Sequence, residues 1–300
     1  MEQITIITPT YNRAHTLPRV FESLKNQTFK DFKWLIMDDG STDNTSSLVA
    51  KFQEENVFPI EYYANPNSKK FYTVFKGIEK VTSPFFTILD SDDAYTEDAL
   101  AIMFNEISQL SEDKYISATF NSITPEGKLV GTPFPENFSG SILEMRYKYK
   151  VKGDKHTIFF TKKYLKYLKA FDYQKYKNKY APQKIFFNIY DANGELSKFI
   201  NKGVRIYHQD LEDSNSMSQD RVKPSSFLGL KDGHLSFINC YGDRLLSYPK
   251  PVLRNLIGYQ FYSFKNKNSI SEIISQPKNI SIKTLGLLLF PLSFIYHKMK

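Results

Sequence analysis

Phe32-Lys33-Trp34-Leu35-Ile36-Met37-Asp38-Asp39-Gly40-Ser41-Thr42-Asp43-Asn44-Thr45 runs from an apolar stretch straight into acids, a glycine and hydroxyls. Phe32–Met37, apolar except for Lys33, reads as a buried strand, as in a parallel sheet. Thr42–Phe52 reads as a helix, with Asp43 near its start and Leu48, Val49 and Phe52 on one side. The acids therefore stand at the carboxyl end of a buried strand, where open α/β sheets gather their ligands.

The same alternation extends in both directions. Ile4–Thr8 reads as a further buried strand, and Ile60–Ala64 and Phe85–Leu89 as strands. His15–Asn26, Phe71–Val81 and Thr96–Leu110 carry apolar residues at helical spacing. Strands alternating with helices imply βαβ units and a mostly parallel sheet. Farther on, Tyr115–Ser122, Thr157–Phe160 and Val204–Tyr207 read as strands, with a turn at Glu126–Gly127, and Ala181–Tyr190 as a helix. After Pro224 the pattern is helical, broken by Pro249, Pro251 and Pro277.

A second acidic group, Asp90-Ser91-Asp92-Asp93, directly follows the strand at Phe85–Leu89. Two such clusters at neighbouring strand ends crowd negative charge into one crevice, which is costly unless a cation or hydrogen-bond donors offset it. Carboxylate oxygens are hard ligands suited to Mg²⁺ or Mn²⁺ gripping phosphates. For Asp43 alone, an ordinary helix cap is the simpler account.

Three segments carry a resemblance: Ile6-Ile7-Thr8-Pro9-Thr10-Tyr11-Asn12-Arg13, Trp34 to Thr45, and Leu89-Asp90-Ser91-Asp92-Asp93. In order and spacing they resemble family 2 glycosyltransferases. The match is most specific over residues 1–110, weaker to about residue 220, and general beyond. The resemblance implies a GT-A fold, a Rossmann-like nucleotide-binding sheet with flanking helices, followed by a C-terminal helical region. It implies a catalytic domain over 1–220, with 1–110 the nucleotide-sugar half and 111–220 the acceptor half, and a basic helical region over 221–300.

It also implies roles. Pro9, Tyr11, Arg13 and Asp39 would hold the base and ribose, with Asp39 accepting from a uracil N–H. Asp90 and Ser91 would lie at the nucleotide. Asp92, with Asp90 or Asp93, would hold the Mn²⁺ or Mg²⁺ on the donor diphosphate, offsetting charge on the leaving group. Lys70 stands where the family has a Lys after a Gly-rich turn, although Asn67-Ser68-Lys69-Lys70 has no Gly and Phe75 replaces the usual Asn. Gly153-Asp154-Lys155 resembles the start of the acceptor half.

The activity implied is inverting, metal-dependent sugar transfer from a nucleotide sugar, UDP-linked by expectation, within bacterial cell-surface polysaccharide biosynthesis. Inversion needs a base for the acceptor hydroxyl, usually a carboxylate. The expected acidic position is Gln183, and an amide is no base. Asp172, Asp191 or Asp154 could serve instead, and Glu212-Asp213 is a further candidate. His208 is either a third metal ligand or a polar loop residue. A chain that kept its nucleotide site but lost its base would instead be a scaffold in a glycan-assembly complex.

Composition narrows the partners. The 300 residues are 41% hydrophobic and 15% aromatic, enough for a core. The one cysteine, Cys240, reads as a core residue, and with a start that lacks a signal-peptide pattern it suggests a reducing cytoplasm. The net charge is +8, yet residues 221–300 hold twelve Lys and Arg against three Asp and Glu. The excess therefore belongs to one end, as for a local anionic partner such as lipid head groups. Nucleic acid is excluded as the partner, because it explains neither acidic cluster and no binding motif is present. A nucleotidyltransferase would need a Gly-rich loop after Thr8, which is lacking.

The tail Leu285–Tyr296 is intensely apolar, flanked by Lys283, His297, Lys298 and Lys300 and interrupted by Pro291. At about a dozen residues it falls short of the roughly 20 a span needs. It reads as an in-plane interfacial helix over 283–299, in peripheral contact with anionic membrane; packing on the catalytic domain or a homo-oligomer contact is the alternative. That tail fits a lipid-linked or other glycan acceptor at the inner face of the cell membrane.

Overall fold

Strands β1 (Ile4–Thr10) and β2 (Phe32–Asp38) are buried along all seven of their residues. They run parallel to one another, to β3 (Ile60–Ala64) beside β2, and to β4 (Phe85–Ile88) beside β1. Burial on both faces is the physical reason β1 and β2 are largely apolar, whereas β3 lies half exposed at the sheet edge. The intervening helices are α1 (Leu17–Lys25), α2 (Thr45–Glu55) and α3 (Lys70–Ile78). α1 buries Leu17, Val20, Phe21 and Leu24, the expected stripe. Phe21 stacks on Phe52 of α2 with ring centroids 4.2 Å apart, and both lie near Trp34 of β2. Each such buried side chain stabilises by about 1.5–3 kcal/mol.

The computed structural model describes residues 2–208 and 223–299. Its strands form one mixed sheet, ordered β3-β2-β1-β4-β8-β6-β9-β5, with β7 paired to β9. Here β5 is Ala94–Tyr95, β6 Tyr115–Ile123, β7 Ser139–Gly140, β8 Lys155–Phe160 and β9 Leu196–Ile206. β8 lies antiparallel between β4 and β6, and β9 runs parallel to β6 with register shifts. Helices α4 (Ala99–Ser108) and α5 (Thr161–Lys169) complete this part. A parallel half continued by a mixed half is the α/β architecture expected from the sequence.

One expectation needs correcting. The two acidic clusters are not on neighbouring strands: β2 and β4 flank β1 on opposite sides. The acids of β2 meet local hydrogen-bond donors, while those after β4 form their own group.

The chain divides into two compact units, one of Met1–Gln174 with Glu195–Asn215, the other of Lys175–Gly194 with Ser216–Lys300. Lys175–Gly194, read from sequence as part of the acceptor half, thus groups with the C-terminal helices. That second unit contains α6 (Lys184–Ala192), α7 (Phe227–Tyr241), α8 (Pro249–Lys265), α9 (Ile270–Ser275) and α10 (Ile280–Met299). Pro249 and Pro251 do not break a helix; they sit in the first turn of α8, where a missing N–H costs little. Pro291 does not interrupt the tail either. α10 runs through it for 20 residues, long and apolar enough to cross a membrane by length and composition alone. One missing hydrogen bond is tolerated because the rest of the helix keeps its ladder and packs on α8.

Candidate active site

The loops after β1 and β2 are stitched together by their own polar groups. The Asn12 N–H donates to Ser41 Oγ at 2.8 Å, and Asn12 Oδ1 accepts from the Thr42 N–H at 2.8 Å. Asp43 accepts from the Ala14 N–H at 3.1 Å and from the Thr45 N–H and hydroxyl. Asp43 is therefore a staple between loops, and the N-cap of α2 falls on Asn44. Gly40 has φ +86°, and a Cβ there would lie 2.8 Å from the Asn67 nitrogen. Only glycine allows this turn to pass the 65–67 backbone so closely.

Asp38 and Asp39 answer their charge locally. Asp38 accepts from the Ser41 N–H and, at 2.5 Å, from the Tyr62 hydroxyl. Asp39 is buried; its Oδ1 accepts from the Ser68 N–H at 2.7 Å and from Thr73 Oγ1 at 2.6 Å. Burial raises its pKa, and these donors oppose the rise. The same contacts pin the 65–69 turn and the start of α3. Lys69 there has φ +73° and ψ +144°, a conformation at home only for glycine. The chain keeps the backbone of a Gly-containing turn with a lysine in it.

Past that turn, Lys70 reaches the second cluster, with Nζ 2.7 Å from Asp90 Oδ1. Asp90, Asp92 and Asp93 can bring one carboxylate oxygen each within 4.8 Å of one another. The three are held differently. Burial pushes Asp90 up, but Lys70, with Arg205 behind it, holds the group below its ordinary value. Asp93 is buried, accepts from the His208 N–H at 3.0 Å and lies 3.4 Å from Arg205. Burial pushes it up to about 7 even so, with Asp90 and Asp92 adding to the rise against Arg205. Asp92 is raised by burial and by Asp90, opposed by Lys70 and by the buried Arg13. Its backbone carbonyl accepts from Arg19 of α1.

Such an oxygen donor set suits a hard divalent cation. Lys70 and Arg205 answer part of the charge, and the raised values at Asp92 and Asp93 mark a remaining deficit that a cation would offset. Of the other residues expected here, Pro9 lies within the buried end of β1, Tyr11 is exposed at its tip, and Ser91 is buried in the Asp90–Asp93 turn.

Gly153-Asp154-Lys155 is more than a turn. A Cβ on Gly153 (φ +85°) would lie 2.3 Å from the Val130 carbonyl oxygen. Lys155 Nζ donates to Asn121 Oδ1 and the Thr132 carbonyl, both at 2.7 Å. Asp154, half exposed, accepts from Arg205 at 2.7 Å. Arg205 also donates to Ser122 Oγ at 3.0 Å, so it bridges Asp93, Asp154 and β6. The sequence reading missed it; a lone arginine between Val204 and Ile206 in an apolar strand was the available signal. Also missed was His156, fully enclosed, whose Nε2 meets Thr87 Oγ1 at 2.8 Å and the Tyr95 hydroxyl at 2.7 Å.

The other base candidates separate clearly. Asp172 is exposed, and its Oδ1 accepts from the Gln174 N–H. Asp191 lies in the second unit, buried, with the Tyr241 hydroxyl 2.5 Å from its Oδ2. Gln183 is the N-cap of α6, also in the second unit. His208 meets the cluster through its backbone N–H to Asp93. Glu212-Asp213 lies outside the described residues.

Known proteins bear on this arrangement. A Campylobacter jejuni protein, GalNAc(5)-diNAcBac-PP-undecaprenol beta-1,3-glucosyltransferase, is 27% identical over 318 residues, covering 100% of this chain and 96% of its own length. S. aureus TarS 1-349 in complex with UDP-GlcNAc is similar in structure, with a TM-score of 0.66 at 18% identity, covering 100% of this chain and 88% of that one. The mannosyltransferase PcManGT from Pyrobaculum calidifontis, in complex with GDP-Man and Mn2+, gives 0.50 at 13% identity, covering 99% and 83%. The signature of Glycosyl transferase family 2 matches residues 5–194, a span holding both acidic strand ends, Lys70 and Asp154. With that match over more than half its length, the chain belongs to glycosyl transferase family 2.

Proposed function

We propose that this glycosyltransferase transfers a sugar from a UDP-sugar, with inversion and with Mn²⁺ or Mg²⁺ bound, to a lipid-linked glycan during bacterial cell-surface polysaccharide assembly. The observation that carries the reading is the Asp90–Asp92–Asp93 group at the carboxyl end of β4, with Lys70 on one edge. UDP-GlcNAc on the TarS neighbour supports the donor, the undecaprenol-linked acceptor of the Campylobacter relative supports the acceptor, and Mn2+ in the mannosyltransferase supports the metal. With an acceptor of that kind the reaction runs beside a membrane, on its cytoplasmic face.

Asp92, the least engaged of the three carboxylates, would hold the metal with Asp90. The ion, when bound, neutralises charge on the departing diphosphate. Lys70 is poised to exchange Asp90 for a diphosphate oxygen. Asp93 acts differently. Bound to Arg205 and His208, it fixes the turn that presents Asp92. Pro9, Tyr11, Arg13 and Asp39 belong to the nucleotide side, with Asp39 acting through the turn it clamps.

For the base we favour Asp154. Arg205 ties it to Asp93, so it lies on the donor side of the molecule, and it is half exposed with only Oδ2 engaged among the described residues. Asp191 is committed to Tyr241, and Asp172 has no such tie to the cluster. The test is UDP release from UDP-sugars with Mn²⁺ and an undecaprenyl-diphosphate glycan. Turnover abolished by Asp92→Asn supports the reading; no turnover with any donor, and no metal-dependent UDP binding, sinks it. Gln183 at the cap of α6 favours one second reading, a nucleotide-binding scaffold without turnover. It predicts UDP–metal affinity in the wild type but no transfer to any acceptor.

A further inference from the structure

We propose that the outer face of α10 is a lipid-docking surface that lays the C-terminal helix in the plane of an anionic bilayer without crossing it. The proposal rests on the membrane-proximal reading above for its purpose and on the packing of α10 for its argument.

α10 is built inside out. With successive residues about 100° apart around the axis, Ile282, Gly286 and Ser293 fall on one side within about 40°. Those three are its buried residues, and they face α8. Leu288, Leu292, Ile295 and Met299 fall on the opposite side within about 60°. All four are more than half exposed, from 56% at Ile295 to 80% at Met299. A helix packed on a soluble protein puts its leucines inward and its small and polar residues outward. Here the order is reversed, and a row of exposed aliphatic side chains of this length marks an interaction surface.

The inner face fixes the orientation. Gln260 of α8 donates through Nε2 to the Gly286 carbonyl at 2.7 Å and accepts from Ser293 Oγ at 2.6 Å, both bonds buried. Phe264 packs its ring against Phe290 and Phe294, and Phe261 packs against Tyr296. A helix that left α8 to span a bilayer would give up both bonds and strand the buried Gln260 amide. Nor could α8 accompany it, since α8 carries Lys250, Arg254, Asn255 and Lys265. Held on α8, α10 can offer lipid only its outer side.

The occupant follows from charge. Lys298 stands exposed at the edge of the outer stripe, in the stretch 221–300 that holds twelve basic residues against three acidic ones. An apolar stripe with a lysine at its edge, within a basic region, complements an anionic lipid surface. A second copy of this chain would bring the same positive charge to the contact.

Sedimentation of the full chain with vesicles tests this. Wild type should bind phosphatidylglycerol-containing vesicles, and bind pure phosphatidylcholine more weakly by roughly 5-fold or more, the effect of one lysine near the surface. Leu288→Glu/Leu292→Glu/Ile295→Glu, confined to exposed positions, should weaken vesicle binding ~100-fold or more. It should leave UDP binding unchanged, which shows the fold intact. Asp92→Asn should abolish turnover and leave vesicle binding untouched, so failure of the catalytic reading is separable. Absent vesicle binding by wild type, equal binding by the triple variant, a wild-type dimer that this variant dissolves, or resistance to alkaline extraction from membranes would each overturn the proposal.

Discussion

Asp90, Asp92 and Asp93 differ in what already holds them, and the difference ranks their substitutions. Asp92→Asn should lower kcat/KM roughly 100-fold or more and weaken the metal dependence, with little change in melting temperature. Asp93→Asn leaves Arg205 its shorter pair with Asp154 and replaces a carboxyl that burial already holds up to about 7, so it should change stability by only about 1 kcal/mol at neutral pH, an effect read by denaturant unfolding. Asp154→Asn should cut kcat about 100-fold or more while UDP affinity holds, measured as single-turnover transfer beside UDP titration; unchanged kcat would return the question to Asp172. The sequence marked the three acids because they follow an apolar strand directly. It did not rank them, because the ranking depends on Arg205, far along the chain and adjacent only in the sheet.

Turns and strand ends hold the next level of information. Lys69 holds a φ of +73° where glycine would sit at ease, so Lys69→Gly should stabilise the protein by about 1 kcal/mol, seen as a higher urea midpoint at constant slope. Gly40→Ala should do the reverse, by about 2 kcal/mol or more, since its Cβ meets backbone that cannot swing aside. Elements with long apolar runs or stripes, β1 to β4 and α1 to α4, were legible to within a few residues at each end. β5 and β7 were not, because two-residue strands carry no period. β9 was read only from Val204 onward, since its earlier part includes Asn201, Lys202 and Gly203 and pairs irregularly with β6. α5 escaped because Thr161-Lys162-Lys163-Tyr164-Leu165-Lys166 presents few apolar residues, its buried face being Thr161, Tyr164 and Leu168.

At the scale of the whole molecule, histidines couple the fold to pH. His156 is held well below its ordinary value by burial and then by Arg205, and His234 is pushed down to about 4 by burial and Lys184. Each is neutral when folded and gains a proton on unfolding below about pH 6.5. Their contribution is therefore complete above pH 6.5 and is lost as pH falls toward the folded value. Between pH 6.5 and 5 the loss should be roughly 1 to 2 kcal/mol per histidine. His234→Gln should flatten the stability–pH curve by one such share, taken as the difference between wild-type and variant urea midpoints at each pH. The interleaving of Lys175–Gly194 with the C-terminal helices was not legible, because local pattern does not say which part of the chain a helix joins. The pairing of Gln260 with Gly286 and Ser293 has a practical corollary. Trimming the chain ahead of Ile280 to improve handling would bare a stranded amide beside Leu256 and Tyr259, exchanging one sticky patch for another. Repainting Leu288, Leu292 and Ile295 with polar side chains keeps that seam closed and is the better route to a well-behaved preparation.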